Sequence, residues 1–134
     1  MKESKKTVKI NLFSSVTISY KDNEVLLSKK IGKKLINLFE YFVINKDRII
    51  TNHDIQESLL PENVDARDTI KYTIFRLRKA LEEIKEIEEL DLIETIEGGY
   101  RLSKNYKYDI DVFNFSNLFL DFFNTKINFE LYCF

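Results

Sequence analysis

Polar and apolar residues alternate from Val8 to Phe13 and again from Val16 to Tyr20, with Ser14-Ser15 between the two runs. A period of two turns alternate side chains to one face, so both runs are predicted strands. A third short run, Glu24-Val25-Leu26-Leu27, follows Asp22-Asn23, a pair suited to a tight turn. Two or three such strands are marginal alone, and this antiparallel sheet must lay one face on something else.

From Lys33 to Asn45 the period changes. Leu35, Ile36, Leu38, Phe39, Phe42 and Val43 mark a wide helical stripe, preceded by Lys30, Lys33 and Lys34. Cations at a helix N-terminus oppose its dipole by about 0.3–1 kcal/mol each, which hints at a use outside the helix or at an ordinary solvated run. Lys46-Asp47-Arg48 reads as a turn. Ile49-Ile50 then leads to Thr51, an N-cap with Asp54 three residues on, so a second helix is predicted from Asn52 to Leu60. Pro61 stops it, because the residue before a proline is pushed out of the helical region. Residues Glu62 to Ala66 form an acidic connector.

The third helix is predicted from Arg67 to Ile84 or Ile87. Ile70, Ile74, Leu77, Leu81 and Ile84 fall on one stripe and form its buried face. The other side carries Asp68, Tyr72, Phe75, Arg76 and Lys79, with Lys71 and Arg78 on the flanks. Two aromatics among cations suit an anionic, partly stackable partner, although a solvated basic face over an ordinary core has the same residues. Arg78 lies nearer the apolar flank, placed to pair with the acidic cluster that starts at Glu82. Two helices joined by a short connector make a helix-turn-helix arrangement. Leu92 to Ile96 alternates as a strand, Glu97-Gly98-Gly99 is a turn, and Tyr100-Arg101-Leu102 returns. A hairpin directly after the third helix has the place of a wing. The fold class is α+β: an N-terminal antiparallel sheet, three helices, a hairpin wing and an aromatic-rich C-terminal helix.

Composition changes this picture in few places. At 134 residues the chain is long enough for a real core, and its net charge of −1 leaves no global basicity. The charge is instead polarised: Arg67 to Lys79 carries a net of +4 and Glu82 to Glu97 a net of −7. A single cysteine, Cys133, excludes an internal disulfide framework and a cysteine metal site, which fits a reducing compartment and a cytoplasmic protein. Lys2, Lys5, Lys6 and Lys9 precede no uninterrupted apolar stretch, and no segment has the length of a membrane span.

Ile93 to Leu102, placed after Phe75-Arg76-Leu77-Arg78-Lys79-Ala80-Leu81, resembles the effector domain of OmpR-type regulators. The opening, Ile10 to Tyr20, Glu24 to Leu27 and Lys33 to Val43, is similar to the winged helix that starts SARP-type activators. Tyr108 to Phe113 resembles the segment that opens their bacterial transcriptional activator domain, with Asp111 as helix N-cap. On that basis residues 1–105 are a winged-helix domain and 106–134 a C-terminal helical segment, the first part of a second domain. The resemblance implies a transcription regulator that binds double-stranded DNA, with the third helix in the major groove. Thr73 and Arg76 fall where the family reaches base edges or nearby phosphates, and Lys79 where it grips phosphate. The connector residues Pro61, Glu62, Asn63 and Asp65 match a loop that some members use to touch RNA polymerase. Relatives bind direct repeats as side-by-side protomers, so a homodimer on DNA is expected. Glu97 departs from the pattern, standing where such wings usually carry a cation.

Within the helix, the planar fork of Arg76 suits O6 and N7 of guanine, discriminating by about 1–3 kcal/mol. Lys71, Lys79 and Arg67 are better phosphate ligands, Tyr72 is a phosphate donor, and Thr51 and Arg48 stand at the start of the second helix. Phe75 fits a base contact and a packing role equally. Arg101 braces the hairpin and ranks below the helix cations. No residue pattern calls for a metal, cofactor or catalytic centre: His53 is the one histidine, and no phosphate-binding glycine loop occurs. The tail residues Val112, Phe113, Phe115, Leu118, Phe119, Leu120, Phe122 and Phe123 are too apolar to stay bare. The N-terminal sheet, another chain or a longer regulator must cover them. A protein-interaction module working through this tail, without DNA, is the competing expectation.

Overall fold

The computed structural model describes residues 5–59, 67–118 and 120, with only the backbone at 67 and 68. Strands β1 (Lys6–Asn11), β2 (Thr17–Tyr20) and β3 (Asn23–Leu26) form the predicted antiparallel meander. Its tight turn is Lys21-Asp22, one residue earlier than expected, because Tyr20 pairs with Asn23 and Lys21 takes a φ of 55°. Helices α1 (Lys33–Ile44), α2 (Asn52–Leu59) and α3 (Arg67–Glu82) follow, then the hairpin of β4 (Ile93–Ile96) and β5 (Gly99–Leu102). A sixth strand, β6 (Tyr106–Ile110), lies parallel to β1, so the main sheet is mixed, in the order β3-β2-β1-β6. Residues 106–110, expected to open a helical segment, are therefore strand. Their alternation turns Tyr106, Tyr108 and Ile110 to the core side, and β1 offers the free edge that satisfies their backbone.

Helix α4, over residues 111–118, leaves this strand directly. Asp111, expected as its N-cap, instead turns its carboxylate back to the end of β1, accepting from the amides of Leu12 at 2.9 and 3.0 Å and of Phe13 at 3.2 Å. Those two amides lie past the end of β1, which is why that strand stops at Asn11 and not at Phe13.

The inner face of the sheet, with Val8, Ile10, Ile18 and Val25, packs on Phe39 and Phe42 of α1 and on the stripe of α3 in one core. Every residue of that stripe, Ile70, Ile74, Leu77, Leu81 and Ile84, is buried. The helix itself ends at Glu82, earlier than predicted. Ile84 and Ile87 reach the core through a 3-10 turn, Lys85–Ile87. Glu89, just beyond, meets Lys21 at 2.7 Å and Lys6 at 3.7 Å, tying this exit to the sheet. Thr51 and Asp54 form the predicted capping box of α2: the Thr51 hydroxyl accepts from the Asp54 amide at 3.1 Å, and the Asp54 carboxylate accepts from the Thr51 amide at 3.0 Å. That amide bond, more than the nearby Arg48 charge, holds the Asp54 carboxyl below the usual aspartate range.

The aromatic tail is partly covered. Val112 and Phe113 pack against the core and Phe115 meets Phe13 edge to face at 5.5 Å, but Phe115, Leu118 and Leu120 stay more than half exposed, against the expectation that the tail is covered. Phe119, Phe122 and Phe123 lie outside the described residues. None of the described helices is long and apolar enough to cross a membrane.

Candidate nucleic-acid interface

With its stripe buried against α1 and α2, α3 presents the opposite side outward. Tyr72 and Phe75 are 62% and 57% exposed there, a large apolar area for a helix in a small domain. Each ring carries a cation one turn on: the Arg76 guanidinium lies 5.7 Å from the Tyr72 centroid, and the Lys79 ammonium 5.8 Å from that of Phe75. Such i, i+4 pairs hold long side chains against the helix and keep their charges pointing outward. Lys71 is exposed on one flank. On the other, a shallow groove between Arg76 and Ala80 of α3 and Glu83 just past its end reaches Leu35 of α1. Glu83 thus places a carboxylate at the rim of a basic face. Its spacing of four from Lys79 was visible in the sequence.

Thr73 does not belong to this face. It is buried, and its hydroxyl donates to the Thr69 carbonyl at 2.7 Å. The side chain points into the seam between α1 and α2, beside Leu38, Ile55 and Ile70, so the expected reading position is a packing position. Arg78 is displaced as well, because it does not pair with the Glu82 cluster. Its guanidinium donates to the Ile93 carbonyl at 3.2 Å and to the Thr95 hydroxyl at 2.5 Å, and lies 5.9 Å from the Tyr100 ring. A cation expected on the surface therefore fastens α3 to both strands of the wing.

Arg101 braces the hairpin as expected, donating to Glu94 at 2.7 Å through Nε and 2.6 Å through a terminal nitrogen. Arg48 is exposed beside the start of α2, donating to the Tyr41 hydroxyl at 3.2 Å, and Thr51 is half-buried at the cap. The backbone of Arg67 opens α3, while its side chain lies outside the described residues, as do the connector positions Pro61, Glu62, Asn63 and Asp65.

The wing is anchored by its glycines. Gly98 takes a φ of 94° in the turn, a conformation that side chains disfavour. At Gly99 proximity adds to a φ of 158°: a Cβ would lie 2.9 Å from the Ile50 carbonyl carbon and 3.2 Å from the Thr51 Cα. This close approach lets Ile50 and Tyr100 exchange backbone hydrogen bonds of 2.7 and 2.9 Å, stitching the start of α2 to the wing. A capped helix, a second helix with an outward aromatic and cationic face, and a hairpin fastened to both define a winged helix-turn-helix domain.

Residues 27–102 match the family model described as transcriptional regulatory protein, C terminal. The chain belongs to that family, the OmpR-type DNA-binding domains of transcription regulators. The matched span begins just after β3 and ends with β5, so it contains all three main helices and the wing. Among solved structures, the DNA-binding domain of E. coli CadC superimposes with a TM-score of 0.51 over 65% of this chain and 78% of that one, at 19% identity, a likeness in fold. No curated protein matches the chain. The family is one of DNA-binding regulatory domains, and the tail-only interaction module is not favoured.

Proposed function

We propose that α3 enters the major groove of double-stranded DNA and reads sequence there, chiefly through Arg76, with Lys71, Lys79 and Tyr72 on phosphates. The observation that carries this is the exposed pair of aromatic-cation couples on a helix whose other side is buried in the core. Arg48 and Arg67 stand at the N-terminal ends of α2 and α3, suited to flanking phosphates, with Thr51 beside them as the cap. Arg101, held by Glu94, supports the wing and touches DNA at most from its edge. The connector around Pro61, Glu62, Asn63 and Asp65 is the surface we assign to RNA polymerase, and side-by-side protomers on a direct repeat are the assembly we assign on DNA. Both rest on the resemblance to OmpR-type regulators and, through the opening strands and α1, to SARP-type activators. In that arrangement α4 begins a second, helical unit, and the protein works in the cytoplasm.

Selection of a binding site from randomised duplexes, followed by mobility shifts over a salt series, tests the reading. Four phosphate contacts give a slope of log K against log salt of roughly −3 to −4. Arg76→Ala is expected to weaken the selected site about 10- to 100-fold, the value of one bidentate base contact. Salt-independent binding, or none, overturns the proposal.

A further inference from the structure

Phe75 is the residue of the outward face that its cations do not explain. A 57% exposed phenyl ring one turn before a lysine adds nothing to phosphate affinity, and the fold does not need it, since the core is closed by the opposite stripe. We propose that Phe75 makes the DNA-bound protein select thymine, by packing on the C5-methyl group in the major groove. This rests on the reading of α3 as the groove helix.

Among the base edges of the major groove, the thymine methyl is the one apolar group. The phenyl ring has no donor or acceptor, so against any polar edge it would displace water without replacing its hydrogen bonds, whereas against the methyl it buries apolar area on both sides. The ring stays 57% exposed although the Lys79 ammonium lies 5.8 Å from its centroid, so apolar surface remains for a partner. Tyr72, one turn nearer the start of the helix on the same face, carries a hydroxyl better suited to phosphate. Phe75 is thus the side chain of this face with a purely apolar end, and Arg76 beside it reads a polar edge.

The test uses the site selected by the wild-type protein, resynthesised with uracil in place of each thymine in turn, which removes the methyl and nothing else. At one or two positions uracil is expected to weaken wild-type binding about fourfold, the affinity equivalent of one buried methyl group. Phe75→Ala is expected to bind thymine and uracil sites alike, and Phe75→Leu to keep the preference. Because Phe75 is exposed, both variants are expected to melt as the wild type does. Salt-sensitive binding with an Arg76→Ala penalty but no uracil effect at any position overturns this inference while leaving the DNA reading standing. A uracil effect that survives Phe75→Ala also overturns it, as does a Phe75→Ala defect confined to cooperativity between protomers. Absence of DNA binding would instead remove the reading on which it rests.

Discussion

Replacing Gly99 with alanine is expected to cost far more than a surface methyl should. The new Cβ would lie 2.9 Å from the Ile50 carbonyl carbon and closer still to its oxygen. Two carbons prefer about 3.5 Å or more, so β5 must retreat from Ile50 by at least about 0.6 Å, and further to clear the oxygen. The retreat strains both hydrogen bonds of the Ile50–Tyr100 bridge, now 2.7 and 2.9 Å. Ile50 is 0% exposed, and its amide and carbonyl have no easy recourse to water. Losing two such bonds, with buried partners left unsatisfied, costs about 2–4 kcal/mol. Against a total stability of about 5–15 kcal/mol this is a large share. In urea denaturation the midpoint should fall by about 1–2 M at an m near 2 kcal/mol/M, with m unchanged. Gly32→Ala is the control: nothing lies within 4 Å of its added Cβ, and a cap glycine gives up less than about 1 kcal/mol. A Gly99→Ala protein within about 0.5 kcal/mol of the Gly32→Ala protein would refute the close-approach argument.

Thr51→Ala removes half of the capping box and should destabilise by about 1 kcal/mol. It should also let the Asp54 carboxyl titrate nearer its ordinary range by carbon NMR, since the Thr51 hydroxyl helps to lower it. Because the folded pKa is depressed, the stability linked to Asp54 is present above the unfolded aspartate pKa and is lost as pH falls through the folded one. Acid unfolding of Thr51→Ala should lose that portion, and an unchanged acid limb would contradict it. Asp111→Ala takes the acceptor from the Leu12 and Phe13 amides, costing roughly 1–3 kcal/mol and speeding hydrogen exchange at those two sites above all. Exchange that stays slow at both would show that another group holds the turn. Thr73→Val should leave the DNA affinity within about twofold and the stability within about 1 kcal/mol, because the hydroxyl bonds only within its own helix. A changed site preference would return Thr73 to the interface.

The stripe Ile70, Ile74, Leu77, Leu81 and Ile84 was legible because a 3.6-residue period is a local property, and a helix with one apolar side buries that side whatever lies beneath it. The capping box of α2 was legible for the same reason, all its atoms being within three residues. The wing was readable as a hairpin from Gly98-Gly99, but its attachment was not, since Ile50 lies half the domain away from Tyr100 in sequence. Strand β6 was missed although Tyr106, Tyr108 and Ile110 alternate. A five-residue run next to a helical pattern is ambiguous until the edge of β1, about a hundred residues earlier, is known to be open.

The outward face of α3 shows the same division within one element. Its period alone placed Tyr72, Phe75, Arg76 and Lys79 opposite the core, and there they stand. The two flanks were decided elsewhere. Thr73 is buried because α1 and α2 close over that side, and Arg78 is taken up by the Ile93 carbonyl and Thr95 hydroxyl of β4, groups that the packing of the wing brings beside it, and not by Glu82. Local periodicity therefore determined which way each helix and strand faces. Which flank residues remain free to meet DNA depended on what packs beside them, a long-range matter that only the assembled core settles.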